Sequence, residues 1–203
     1  MTAILEILAN EKEPDMEQAV KSALADQAIM GEILKGLESK NETYRYNCAR
    51  VLFRISEDQP QVLYPQWDYF VELLGSKNAY HRMASLEIIA NLTAADSEKQ
   101  FEGLFDCYFG LLDDTSMIVA IYCARNAGTI AVAKPRLKTE VIERLLAIDR
   151  THHREDRKDL IKCDVIQSLE GLFEESDAQE RVLAFAEAQL ECSSPKTRKA
   201  AKG

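Results

Sequence analysis

A twelve-residue helical segment recurs along this chain. Tyr44-Arg45-Tyr46-Asn47-Cys48-Ala49-Arg50-Val51-Leu52-Phe53-Arg54-Ile55 is written again, with the same layout, at residues 81–92, 119–130 and 158–169, and its opening returns at 197–203. The copies begin 37, 38, 39 and 39 residues apart. Self-similarity at such a period means one helical unit stacked repeatedly, each unit burying its apolar face only against its neighbours. This confines the chain to a helical solenoid.

Within each copy the apolar positions follow one helical face. With Tyr44 counted as zero, offsets 0, 4, 7, 8 and 11 fall in one arc at about 100° per residue. They hold Tyr44, Cys48, Val51, Leu52 and Ile55 in the first copy, a stripe expected to be buried against a partner helix. Offsets 2, 6, 9 and 13 lie opposite. Offset 6 reads Arg50, Glu87, Arg125 and Asp164, alternating in sign. Stacked helices lie about 8–10 Å apart, so these side chains are expected to form a charge ladder. Such a ladder fixes repeat register, at about 0–1 kcal/mol per exposed rung, or grips a partner's polar groups. Offset 2 reads Tyr46, Met83, Ile121 and Leu160, with Phe53 at offset 9 extending the apolar row. Left exposed, the row marks an interaction site; turned inward, it packs between repeats.

The rest of the chain reads as helix too. Residues 2–9 make two turns, Glu11 to Pro14 breaks them, and Asp15 caps the next helix. Residues 1–25 are expected to cap the first repeat. Repeats follow at 26–58, 59–95, 96–133 and 134–174, each a first helix, a turn and the recurring second helix. Ser97 is expected to open the third in a capping box with Gln100, and Ser176 to cap a helix over 177–191. Residues 175–203 close the single domain, ending in a basic tail too short to be a helix alone.

Composition narrows the partners. A net charge of −9 repels phosphate backbones and anionic lipid unless basic residues are segregated. No apolar run approaches membrane-spanning length, and the N-terminus lacks the basic cluster of a signal peptide. The five cysteines, Cys48, Cys107, Cys123, Cys163 and Cys192, are odd in number and show no CxxC spacing, so buried free thiols in a reducing, cytoplasmic setting are expected.

The twelve-residue copies resemble the second helix of HEAT repeats. That family's pattern is a turn residue, usually Asp, a short gap, an aliphatic–Arg pair, then small and aliphatic residues at helical spacing. Tyr44-Arg45 and His81-Arg82 stand at the pair; Val119-Ala120 loses the Arg, and Lys158-Asp159 loses both. The turn position holds Ser39, Ser76, Asp114 and His153. Ala49, Ala124 and Gly128 keep small positions, and Phe53 departs from one. The resemblance covers roughly residues 26–190, and armadillo arrays are a near neighbour because the period is slightly short. It implies an all-α, right-handed α-α superhelix with its second helices lining a concave face. Arg45 and Arg82 are expected to reach back to the turn before their own helix.

On this reading the chain is a non-catalytic scaffold. It would hold a helix or extended segment of a partner protein at Tyr46, Arg50, Phe53, Met83, Glu87, Ile121, Arg125, Leu160 and Asp164. The alternative is a nucleic-acid enzyme of the HEAT-like alkylated-base glycosylase kind. That requires an inner row of Lys and Arg around an aromatic and an acid, whereas the ladder is half acidic and the one tryptophan, Trp67, lies on a first helix. A pigment-attaching lyase accessory is suggested by fold alone. No catalytic residue, cofactor or metal ligand is assigned: GxGxxG, P-loop, GxSxG and HExxH motifs are all missing. His152 and His153 with Cys163 match no zinc spacing and are expected to lie exposed on a turn, and His81 to be a packed imidazole. The chain is expected to be a monomer, or an end-to-end homodimer through Val182, Phe185 and Leu190.

Overall fold

The computed structural model describes residues 2–173 and 178–203, and among these the chain is helix and turn with no strand. Helices α1 (Ala3–Asn10) and α2 (Met16–Ala25) open it. Helical hairpins follow: α3 (Gln27–Gly36) with α4 (Glu42–Asp58), the short α5 (Pro60–Leu63) and α6 (Trp67–Leu74) with α7 (Ala79–Leu92), α8 (Gln100–Gly110) with α9 (Met117–Ala133), and α10 (Lys138–Leu146) with α11 (Glu155–Glu170). Helices α12 (Gln179–Glu187) and α13 (Pro195–Ala200) end it.

Capping residues set most of the starts. Asp15, Asp26, Asn41, Asn78 and Ser194 sit in extended backbone and accept an N–H from the first turn of α2, α3, α4, α7 and α13, satisfying donors that the helix itself leaves free. The third hairpin departs from the box expected at Ser97. Asp96 caps α8 instead, accepting from Gln100 N at 2.9 Å and Phe101 N at 3.0 Å. Lys99, at φ 59°, turns the chain so that this upstream carboxylate meets the free N–H groups. The cap expected at Ser176 lies outside the described residues.

Three of the hairpins meet closely at offset 4 of the second helix. Cys48, Ser85 and Cys123 occupy it, all fully buried. A Cβ on Gly36 of α3 would collide with Cys48 Sγ. The Ser85 hydroxyl donates to Phe70 O of α6, and the Cys123 thiol donates to Tyr108 O of α8 at 3.3 Å. The small residue is therefore demanded by the first helix pressing against it. Burial pushes the Cys48 thiol up to about 12 and raises Cys123 as well, which keeps both protonated and inert. Offsets 7, 8 and 11 are buried in all of α4, α7, α9 and α11. The fourth hairpin puts Lys162 at offset 4, its buried ammonium paired with Asp149 at 2.7 Å.

The second helices pack on one another in chain order: α4 on α7, α7 on α9, α9 on α11 and α11 on α13, with α1 in the corresponding place before α4. Asn47 Nδ2 ties α4 to Leu8 O and Glu11 O at 2.9 and 2.8 Å, and Ser168 Oγ ties α11 to Ala124 O at 2.7 Å. The arginines at offset 1 reach back six residues to their own turn: Arg45 to Ser39 O at 2.8 Å, Arg82 to Ser76 O at 2.7 Å, Arg198 to Cys192 O at 2.6 Å. Arg82 also grips Asp114 in the next turn with two 2.8 Å bonds. The tail expected to be too short for a helix alone is thus a packed helical element. Helix α13 is short, but α11 supplies its packing, and Thr197 is fully buried.

Asp96 joins three units. Its carboxylate takes the Tyr64 hydroxyl at 2.7 Å, the two α8 N–H groups, and the Lys134 ammonium at 2.7 Å. Burial works to raise its pKa, but Lys134, Tyr64 and the backbone donors more than offset this and hold it below the usual carboxylate value. The side chain is wholly buried and Lys134 nearly so. Asp96→Ala is expected to cost about 3 kcal/mol or more in urea unfolding, because the Tyr64 hydroxyl and the α8 N–H groups lose their acceptor and Lys134 keeps only Glu102, at 3.7 Å, as a carboxylate partner; a loss under 1 kcal/mol would contradict this. Gly36→Ala is expected to destabilise by about 1–3 kcal/mol through overpacking on Cys48. Gly31→Ala, with open space around the new Cβ, is expected to stabilise by roughly 0.5–1 kcal/mol; equal effects of the two would remove the close-approach argument.

Candidate functional site

The nine residues of the expected binding face divide into paired, covered and open groups. Arg125 Nε lies 2.9 Å from Asp164 Oδ1, and Asp164 is almost wholly buried. Arg125 also stacks over Tyr122, 4.8 Å from the ring centroid. Glu87 accepts from Asn126 Nδ2 at 3.4 Å. Burial raises the Glu87 pKa, with Asn126 and Arg125 acting in the other direction. Lys196 Nζ reaches the second Asp164 oxygen at 3.6 Å. The ion pairs therefore run Arg125, Asp164, Lys196, and Glu87 is tied to the next helix through Asn126. Among the described residues Arg50 makes no ion pair with these groups and lies over Tyr46, 5.6 Å from the ring centroid. Of the expected four-rung ladder, the described residues form an ion pair only between the last two rungs, Arg125 and Asp164.

The apolar row is mixed. Tyr46 and Leu160 are exposed, Ile121 and Phe53 half-buried, and Met83 buried. Met83, on the central helix α7, packs into the core between neighbours, whereas Tyr46 and Leu160 keep open faces. Met83 is thus removed from any contact surface and serves the stack, while Asp164, nearly buried, meets the surface only as part of a groove lining.

An open groove continues from this row. Its first part, about 260 Å³, is lined by Arg125, Gly128, Val132, Asp164, Gly171 and Leu172. Val132, Gly171 and Leu172 also line a larger cavity of about 890 Å³, walled by Phe173, Leu183 and Phe185. Val132 is 71% exposed and Leu183 half exposed. Val132 sits at offset 13, on the arc opposite the buried stripe, so helical counting carried the signal for it. Nothing comparable pointed to Leu183, which belongs to α12 and has no counterpart in the repeated copies.

The histidines fall in two places. His81 Nδ1 meets Ser76 Oγ at 3.0 Å, a half-buried imidazole whose pKa is lowered by burial. His152 is exposed, but His153, expected to be exposed beside it, is buried and donates from Nε2 to Leu112 O at 3.1 Å. Their rings stack with centroids 4.6 Å apart. Asp113 accepts from His152 N and Nδ1, each at 2.6 Å. Cys163 stands apart from this group, its thiol facing Lys196 O at 3.9 Å. Cys107, expected to be buried, is exposed, and Cys192 is half-buried. Among the described residues no helix is long and apolar enough to cross a membrane.

Comparison with family models, with curated proteins and with solved structures finds no match for this chain.

The His81 environment makes a pH prediction. Its folded pKa lies below the unfolded value of roughly 6.5, so the unfolded chain binds the extra proton first. The contribution of the neutral ring is present above that value and lost as pH falls toward the folded pKa. His81→Leu is expected to flatten the slope of unfolding free energy against pH below about 6.5; a slope identical to that of the unsubstituted protein would contradict this.

Proposed function

We propose that this chain is a HEAT-type solenoid serving as a non-catalytic scaffold, which holds a segment of a partner protein along the row of second helices. The observation that carries this is the groove from Arg125 and Asp164 past Val132 into the cavity beside Leu183. A cleft charged at one end and apolar at the other suits an amphipathic helix or an extended strand of another chain. Its position opposite the buried stripe is where the HEAT resemblance places the concave surface. Exposed Tyr46 and half-buried Arg50 extend the same side toward the N-terminal end, and Tyr and Arg are residue types favoured at binding hot spots.

Two observations weigh against the nucleic-acid alternative. The face carries Glu87 and Asp164 among its charges, and Arg125 is already committed to Asp164. Trp67 is buried against Tyr64, with rings 5.8 Å apart, and so is not open to stack on a base.

Partner capture tests the proposal. Val132→Glu combined with Tyr46→Glu is expected to weaken partner retention at least about tenfold, on the scale of losing one or two hot-spot side chains. Val62→Glu, an exposed apolar position on α5 away from the groove, is expected to leave it unchanged. Each variant should keep its helical circular dichroism. Equal retention by both would count against the groove. Salt-sensitive binding of duplex DNA by the unsubstituted protein would favour the alternative.

A further inference from the structure

We infer that Asp113, His152 and His153 form a binding site for one divalent transition-metal ion, of the Zn²⁺ or Co²⁺ class, bridging the turns of the third and fourth hairpins. Each offers one donor atom, and the three donors lie within 4.8 Å of one another. Donors around a tetrahedral ion at about 2.0–2.1 Å sit little more than 3 Å apart. Closing the set thus needs side-chain adjustment rather than movement of the fold. Two of the three are exposed and free to make it: the Asp113 and His152 side chains are each about half accessible.

The third ligand is fixed. His153 is buried, and its Nε2 faces the Leu112 carbonyl at 3.1 Å. A carbonyl only accepts, so Nε2 carries the proton and Nδ1 keeps its lone pair. A backbone carbonyl on the far nitrogen is the usual outer-shell partner of a metal-bound imidazole. His152 is held to Asp113 by its backbone N–H and its ring together.

Both walls are anchored. Asp113 ends the 3-10 turn Leu111–Asp113, and its neighbour Asp114 is clamped by Arg82 and accepts from Ser116 N at 2.7 Å. The histidine turn is braced by Lys158, which donates to Asp149 O at 2.9 Å. Two imidazoles and one carboxylate form a donor set for Zn²⁺ or Co²⁺ rather than Ca²⁺ or Mg²⁺, which take oxygen ligands. With three protein ligands, solvent or an exogenous group would complete the shell.

The test is titration of the EDTA-stripped full chain with Zn²⁺ alone, and with Co²⁺ alone, by calorimetry and absorption. The expected result is one equivalent bound, affinity falling as pH drops and the imidazoles protonate, and a raised melting temperature. His152→Ala and Asp113→Asn are each expected to weaken binding about tenfold or more, while lowering the metal-free melting temperature only by the small amount that an exposed pair contributes. Cys107→Ser should change nothing, and the Co²⁺ spectrum should lack a thiolate charge-transfer band. No binding by the unsubstituted chain overturns the inference. So does binding unchanged in either His152→Ala or Asp113→Asn, or a thiolate band, which would place the ion on the cysteines.

Discussion

The distance between the two helices of a hairpin is the constraint on which the other contacts rest. It is set at one position per copy, where Cys48, Ser85 and Cys123 meet the first helix. A larger residue there would push the pair apart, and the apolar stripes at offsets 7, 8 and 11 would lose the near-crystalline packing on which buried dispersion contacts depend. The serine and the thiol hand their polar hydrogens to carbonyls of the first helix, so neither leaves an unsatisfied donor in the core. The fourth hairpin solves the position differently. Lys162 is long, but its ammonium reaches Asp149 beyond the end of α10.

With hairpin thickness fixed, stacking becomes a problem of register, and polar groups solve it. The offset-1 arginines tie each second helix to its own turn, and Arg82 goes on to hold the next turn through Asp114. Asp159, which stands where the arginine would, performs the inter-unit half of that task by accepting Ser193 N and Oγ at 2.8 and 2.6 Å. The residue type has changed while the contact between consecutive units persists. Asp96 does the same on a larger scale, since one carboxylate receives donors from the second hairpin, the start of α8 and the end of α9. Apolar burial stabilises such a stack without choosing among sliding arrangements; directional bonds at low exposure supply the choice.

The helices and their buried stripe were legible because the helical period repeats in the sequence and errors in one copy are corrected by the others. The back-reaching arginines were legible for the same reason. What escaped was long-range and singular. Asp96 precedes a helix that Ser97 also fits, and only the left-handed turn at Lys99 decides between them. Lys134 could not be assigned to it, because they meet across 38 residues. Arg50 and Arg125 share an offset, yet one lies over Tyr46 and the other is drawn onto Asp164; equal register gives equal direction, not equal neighbours. Nothing in its own copy marks Asp113, since both of its contacts come from His152 in the following repeat.

These differences give the row of second helices a chemical gradient. In its middle, Arg125 and Asp164 satisfy one another, and a charge so engaged has little left to offer a visitor. Toward α4, Arg50 makes no ion pair among the described residues and lies above an exposed aromatic ring. Toward α12, Val132 and Leu183 present apolar surface around an open cavity. A segment lying along such a row would have a defined direction, an acidic or aromatic end near Tyr46 and an aliphatic or aromatic anchor near Val132, because reversing it would set a charge in the apolar cavity at the full cost of its desolvation. The ion-paired centre would then set orientation and spacing, while the affinity would be carried by the two ends.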